Sequence, residues 1–73
     1  MPVGTVKFFN ARQGFGFITR DDGEKDVFVH QTSVEASGLT TLVGKERVRF
    51  GIEINQQNGP NRGKEMAVNL LLI

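Results

Sequence analysis

Four aromatic rings stand at alternate positions in two short stretches of the chain. Phe15 and Phe17 lie in Gly14-Phe15-Gly16-Phe17-Ile18, and Phe28 and His30 lie in Asp26-Val27-Phe28-Val29-His30. Residues two apart in a β-strand share a face, so each ring pair projects one way while Ile18, Val27 and Val29 project the other. The aliphatic side chains are the natural core. The rings are then expected on the solvent side of two consecutive strands, where a hairpin would merge them into one patch. An exposed apolar patch of this kind marks an interaction site. Gly14 and Gly16 keep its surroundings flat, so a planar ligand can come close. Separate flat rings suit successive nucleobases, at roughly 1–3 kcal/mol per stacked base and with little regard to sequence. Lys7, Arg12 and Arg20 belong to the same part of the chain and supply cations for phosphates.

The elements that must hold these rings are short and β-type. Val6 to Phe9 reads as a first strand, Phe15 to Thr19 as a second and Asp26 to His30 as a third. Asp21-Asp22-Gly23-Glu24 is a turn signal between the last two. Arg47 to Ile54 alternates polar and apolar residues, the mark of a half-buried strand, and places Phe50 in register with Val48 and Ile52 as core. Met66 to Leu72 reads as the last strand. Between them, residues 31–44 show at most one helical turn, near Thr32 to Glu35, and then a loop. Phe8 and Phe9 are adjacent, so they face opposite ways; alternation from Val6 buries Phe8 unless a bulge intervenes. Five strands with one long connection predict a small closed barrel, a form that also removes sheet edges.

Composition narrows the function classes. At 73 residues the chain is one domain, residues 1–73, with little room for an enclosed catalytic pocket. It has no cysteine for a disulfide or a thiolate zinc site, and His30 is its only histidine. The acids Asp21, Asp22, Glu24 and Asp26 lack the spacing of a calcium loop. No catalytic triad or carboxylate pair has a convincing spacing. Neither enzyme, metal nor cofactor is therefore expected. No apolar run is long enough for a secretory signal or a membrane span, and the expected location is the cytoplasm. The net charge is only +1, but residues 1–20, 21–46 and 47–73 carry +3, −4 and +2. Such separation allows one basic face on a nearly neutral molecule.

Three ordered blocks, Gly4-Thr5-Val6-Lys7-Phe8-Phe9-Asn10, Gly14-Phe15-Gly16-Phe17-Ile18 and Asp26-Val27-Phe28-Val29-His30, closely resemble the cold-shock domain, and their spacing agrees. Gly59-Pro60 and Ala67-Val68-Asn69 are similar to its later landmarks. The resemblance implies a five-stranded antiparallel all-β barrel of the oligonucleotide/oligosaccharide-binding (OB) type. It also implies binding of single-stranded RNA or DNA with a modest lean toward pyrimidines, and a role as an RNA chaperone or cold-shock-type regulator. Carried over by position, Lys7, Phe8, Asn10, Phe15, Phe17, Asp26, Phe28 and His30 form the binding surface, with Phe8 facing outward against the simple alternation. Arg12, Gln31, Pro60, Arg62 and Lys64 complete the candidate set: Arg12 and the Asn61-Arg62-Gly63-Lys64 segment for charge, and Gln31 for a hydrogen bond to a base edge.

The sequence departs from the family pattern at several of these places. Bacterial members commonly carry Trp at the position of Phe8, Lys at Gln13, Phe at Gln31 and Leu39, and a basic residue at Asn58. The changes predict weaker stacking at the ends of the platform. Gln31-Thr32 resembles the eukaryotic Y-box branch, but that branch's longer loop and tails are missing, so the chain reads as a bacterial-type, free-standing domain. Gly14 to Arg20 also partly resembles the aromatic motif of RNA recognition motifs, a fold that needs two helices not found here. The rival from another class is a barrel that serves as a protein-interaction or dimerisation module. Leu70 to Ile73 gives it substance as a bare apolar strand suited to strand exchange, unless Leu70 and Leu72 close the barrel and only Leu71 and Ile73 show. A monomer is expected.

Overall fold

Two glycines set how closely the first strands approach. A Cβ on Gly4 would stand 2.5 Å from the Thr19 carbonyl oxygen, and one on Gly16 would collide with the Phe8 carbonyl oxygen. Only glycine fits such a close backbone approach. The computed structural model describes residues 2–54 and 63–73. Its elements in chain order are β1 (Val3–Asn10), β2 (Phe15–Arg20), β3 (Val27–His30), α1 (Gln31–Ala36), β4 (Arg47–Ile54) and β5 (Glu65–Leu72). The strands close in the order β1-β2-β3-β5-β4, with β4 returning to β1. This is the small OB-type barrel expected from the sequence, with one difference. β3 and β5 run parallel, meeting at Phe28 and Met66, while the other ladders are antiparallel. The long connection that carries α1 makes this possible, because a parallel neighbour cannot be reached through a tight turn.

The barrel interior is the aliphatic set that alternation placed there. Val6, Ile18, Val27, Val29, Val48, Phe50 and Ala67 are buried, joined by Val34 from α1, Leu42 from the connection and Leu70 from β5. The structure describes α1 as six residues, slightly longer than the single turn expected. Ser37 fastens its end to the barrel: its hydroxyl donates to the Ser33 carbonyl oxygen at 2.8 Å and accepts from the Leu70 N–H at 2.9 Å.

Two irregularities decide which way side chains face. β1 and β2 are in register at Val6–Ile18 and again at Phe8–Phe17, so Lys7 is an extra residue in β1. Such a bulge switches the alternation. Phe8 therefore turns outward, 42% exposed, while Phe9 packs against the core. In β5 the register slips between Leu71–Arg49 and Val68–Gly51, around Asn69, whose φ is +52°. Asparagine tolerates this left-handed backbone better than most residues. Leu70 stays inside as a result, but Leu72 is 42% exposed, so of the two leucines offered to close the barrel end only Leu70 does so. Leu71 and Ile73 show as expected.

Candidate nucleic-acid interface

The hairpin of β2 and β3 pairs Phe15 with His30 and Phe17 with Phe28. The bulge in β1 then sets Phe8 beside Phe17. Five rings from three strands thus meet on one outer face. Ring centroids lie 5.7 Å apart for Phe8–Phe17, 5.9 Å for Phe15–Phe28, 5.8 Å for Phe17–Phe28 and 6.2 Å for Phe28–His30. Phe15 and Phe28 are stacked at an interplanar angle of 23°, and the other contacts are tilted or edge-on. Such packing holds each ring at a fixed angle and makes a stepped platform rather than a flat one.

The rings are not equally exposed. Phe8 is the most open, Phe15, Phe17 and His30 are half-buried, and Phe28 is only 5% exposed. Alternation had placed Phe28 on the solvent side, and it does face outward from the core. Its neighbours Phe15, Phe17 and His30 crowd over it, so it forms the floor of the platform and not its top.

The polar candidates divide into those available to a ligand and those already engaged. Lys7, the bulged residue, reaches Asp26 at 3.2 Å, and both side chains remain open to solvent. The pair is neutral as a whole, so a phosphate must compete with Asp26 for the lysine. Arg12 is exposed in the turn between β1 and β2. Asn10 builds that turn: its Oδ1 accepts from the N–H groups of Arg12 at 3.0 Å and Gln13 at 3.2 Å. Only the Asn10 amide nitrogen is left for a ligand. Gln31 is tied to the long connection, its Nε2 donating to the Thr40 carbonyl oxygen at 3.1 Å, while its Oε1 is buried without a partner. Arg20, which the sequence offered as a phosphate partner, is bound to Asp22 at 2.6 Å with its side chain only 17% exposed. That hydrogen bond holds the Arg20 guanidinium above its usual pKa and the Asp22 carboxyl below its own. Its place at the end of β2, beside the acidic turn, explains the loss.

Beside the platform lies a cleft of about 400 Å³ lined by Phe17, Lys25, Asp26, Phe28, Gly63, Lys64 and Glu65. It brings Lys64 to the rings, as the sequence reading expected, and adds Lys25, which that reading missed. Lys25 has the parity of Val27 and Val29, so strand alternation would have turned it inward. It reaches the cleft because β3 begins only at Val27. Pro60, Arg62, Asn58 and Asn61 lie outside the described residues. Among those residues, no group of three or more His, Asp or Glu side chains is gathered as metal ligands, and no helix is long and apolar enough to cross a membrane. The acidic turn is used within the fold: Asp21 accepts two hydrogen bonds from Arg47 at 2.7 and 2.6 Å, and Asp22 also accepts from the Glu24 N–H at 3.0 Å.

A closed five-stranded barrel that carries an aromatic face flanked by lysines defines an oligonucleotide-binding class of small β proteins. The family model of the 'Cold-shock' DNA-binding domain matches residues 3–70. The chain is 47% identical over 68 residues to cold shock-like protein CspA of Rickettsia typhi, covering 93% of this chain and 89% of that protein. It is 54% identical over 58 residues to cold shock-like protein CspG of Escherichia coli K12, covering 80% of this chain and 81% of that one. A similar match, 54% over 52 residues, is to the probable cold shock protein A of Mycolicibacterium smegmatis, over 71% of this chain and 78% of the relative. The chain belongs to the cold-shock domain family, and nucleic-acid binding is the function this membership carries.

Proposed function

We propose that the protein binds single-stranded RNA and DNA alike, stacking successive bases on Phe8, Phe15, Phe17 and His30 over the floor made by Phe28. Lys7, Arg12, Lys25 and Lys64 take the phosphates, with Pro60 and Arg62 assigned to the same edge from the sequence. The observation that carries this reading is the unbroken row of five rings on one outer face. A surface that meets the π-faces of bases accepts any base and requires them unstacked, which favours single strands over duplex. Its contacts make little use of the 2′-hydroxyl that separates RNA from DNA. Base preference is modest and leans to pyrimidines. Binding is weak enough to be transient, and the biological role is that of a cytoplasmic RNA chaperone or cold-shock-type regulator of transcription or translation. The protein acts as a monomer and catalyses no reaction.

Fluorescence anisotropy of a labelled pyrimidine-rich strand, with its duplex as control, tests this at two salt concentrations. The label belongs on the nucleic acid because the chain has no tryptophan. Each phosphate contact contributes a slope of about −0.7 in log affinity against log salt for single strands. Three or four engaged cations therefore give a slope of roughly −2 to −3. Equal binding of the duplex, or affinity indifferent to salt, would refute the reading.

A further inference from the structure

His30 does two jobs. It ends the aromatic row, 6.2 Å from Phe28 and opposite Phe15 in the β2–β3 ladder. It is also the N-cap of α1: its Nδ1 accepts from the Thr32 backbone N–H at 3.1 Å, and the Thr32 hydroxyl oxygen stands 3.0 Å from the same nitrogen. An imidazole nitrogen that accepts from an N–H carries no proton of its own, so the neutral ring keeps its proton on Nε2. Two contacts at one edge also fix the rotation of the ring. Serine, aspartate or asparagine would be the usual cap, but none of them brings a ring to the platform.

We propose that Thr32 is a positioning residue of the nucleic-acid surface. It holds His30 as the Nε2–H tautomer, so that the ring offers a face for stacking and one N–H donor to an oxygen acceptor of the bound strand. This rests on the reading of the aromatic face given above. The acceptor is a base carbonyl or a phosphate oxygen, which share the same hydrogen-bond chemistry.

The tautomer is read without any ligand. His30 is the only histidine, so nitrogen-15 correlation spectra of its ring are free of overlap. At a pH where imidazole is neutral, Nδ1 is expected to appear unprotonated and Nε2 protonated. A ring protonated mainly on Nδ1 would overturn the proposal. Thr32→Ala removes the hydroxyl contact. It is expected to raise the minor tautomer and weaken binding of an oligothymidylate about two- to ten-fold, the range of one neutral hydrogen bond. Thr32→Ser is expected to restore both. An unchanged tautomer ratio and unchanged affinity in Thr32→Ala would overturn the role of Thr32. Two substitutions at the cap separate its jobs. His30→Phe keeps a ring but loses the cap, and its folding equilibrium is expected to fall about five-fold. His30→Asn keeps a cap but loses the ring, and should bind more weakly at near-normal stability. The reverse ordering would contradict the double role. A strand with uncharged methylphosphonate linkages locates the acceptor: a Thr32→Ala penalty that persists supports a base carbonyl, and one that vanishes supports a phosphate oxygen. If the unsubstituted protein binds no strand at all, the reading of the face fails and the binding role of Thr32 with it, while the spectrum still decides the tautomer.

Discussion

Phe15 and Phe28 stack on each other at 5.9 Å, yet they are expected to respond differently to truncation. Phe15→Ala removes a half-buried ring from the top of the platform, so affinity should drop by about 1–3 kcal/mol while the barrel stays folded. Phe28 is buried beneath its neighbours. Phe28→Ala should weaken binding and also cost about 3 kcal/mol of stability, the toll of an aromatic deletion that leaves a cavity. Val27→Ala, pointing the opposite way from the same strand, should cost about 2 kcal/mol of stability with affinity nearly intact once the protein is folded. Urea denaturation and oligonucleotide titration on the same three variants check all of this. Val27→Ala with a large binding defect and no stability loss would reverse the assignment of faces. Lys7→Ala is expected to weaken all sequences alike and reduce the salt slope by about one contact. At this scale the sequence placed the rings of β2 and β3 and the cations Lys7, Arg12 and Lys64, but it did not show that Arg20 is engaged or that Lys25 lines the cleft. Parity identifies which side of a strand a ring takes where the register is regular, as in β2 and β3. Whether Arg20 is free depends on an ion pair with Asp22, and no spacing rule reports that.

At the level of elements, alternation placed the strands because each has one wet and one dry face. It failed where the backbone breaks register. Alternation alone could not decide whether β1 carried a bulge, because both Phe8 and Phe9 are apolar and either could have been core. The family resemblance put Phe8 outside, and the bulge supplies the physical reason. The slip at Asn69 was hidden among apolar neighbours in the same way, and Leu72 shares the parity of Leu70 but stands exposed at the end of β5. Asn69→Ala keeps the slip but loses the residue best suited to its positive φ, and is expected to cost about 1 kcal/mol. In thermal melts of both variants Asn69→Gly should be neutral or mildly stabilising, and a destabilised glycine variant would show that the asparagine side chain matters instead. Ser37 gives a second test. Ser37→Ala leaves the Leu70 N–H without its partner inside the barrel wall and should cost about 1–3 kcal/mol, although Ser37 is far less conspicuous in the sequence than the phenylalanines.

Across the whole molecule, the closed barrel followed from five short strands and one long connection, whereas the parallel β3–β5 seam did not. Nothing in the composition of either strand specifies the direction of its neighbour. Part of the charge segregation seen along the chain is taken up in the fold by ion pairs. Asp21 in the acidic turn is held by Arg47 of β4, tying the β2–β3 turn to the strand beside β1. The hydrogen bond from Arg47, aided by its charge, keeps the Asp21 carboxyl below the usual carboxylate range. A carboxyl depressed in the folded state contributes stability that is complete above its ordinary value near pH 4. That contribution disappears as the pH falls through the lower, folded value. Both partners are solvent-exposed, so the effect is small. The urea midpoint is expected to decline below about pH 4, and Asp21→Asn should flatten the decline. A profile that is unchanged in Asp21→Asn would show that the pair contributes nothing to folding.

In the proposed arrangement a nucleic-acid strand lies across the aromatic face built by β1, β2 and β3. The most direct test is an NMR titration of the labelled protein with a short pyrimidine-rich single strand, following backbone amides and aromatic ring signals together. The largest changes are expected at the rings of Phe8, Phe15, Phe17 and His30, with the amides of Lys7, Lys25 and Lys64 beside them. Changes centred instead on Arg47, Leu71 and Ile73, with the aromatic signals unmoved, would place the strand elsewhere on the barrel and contradict it.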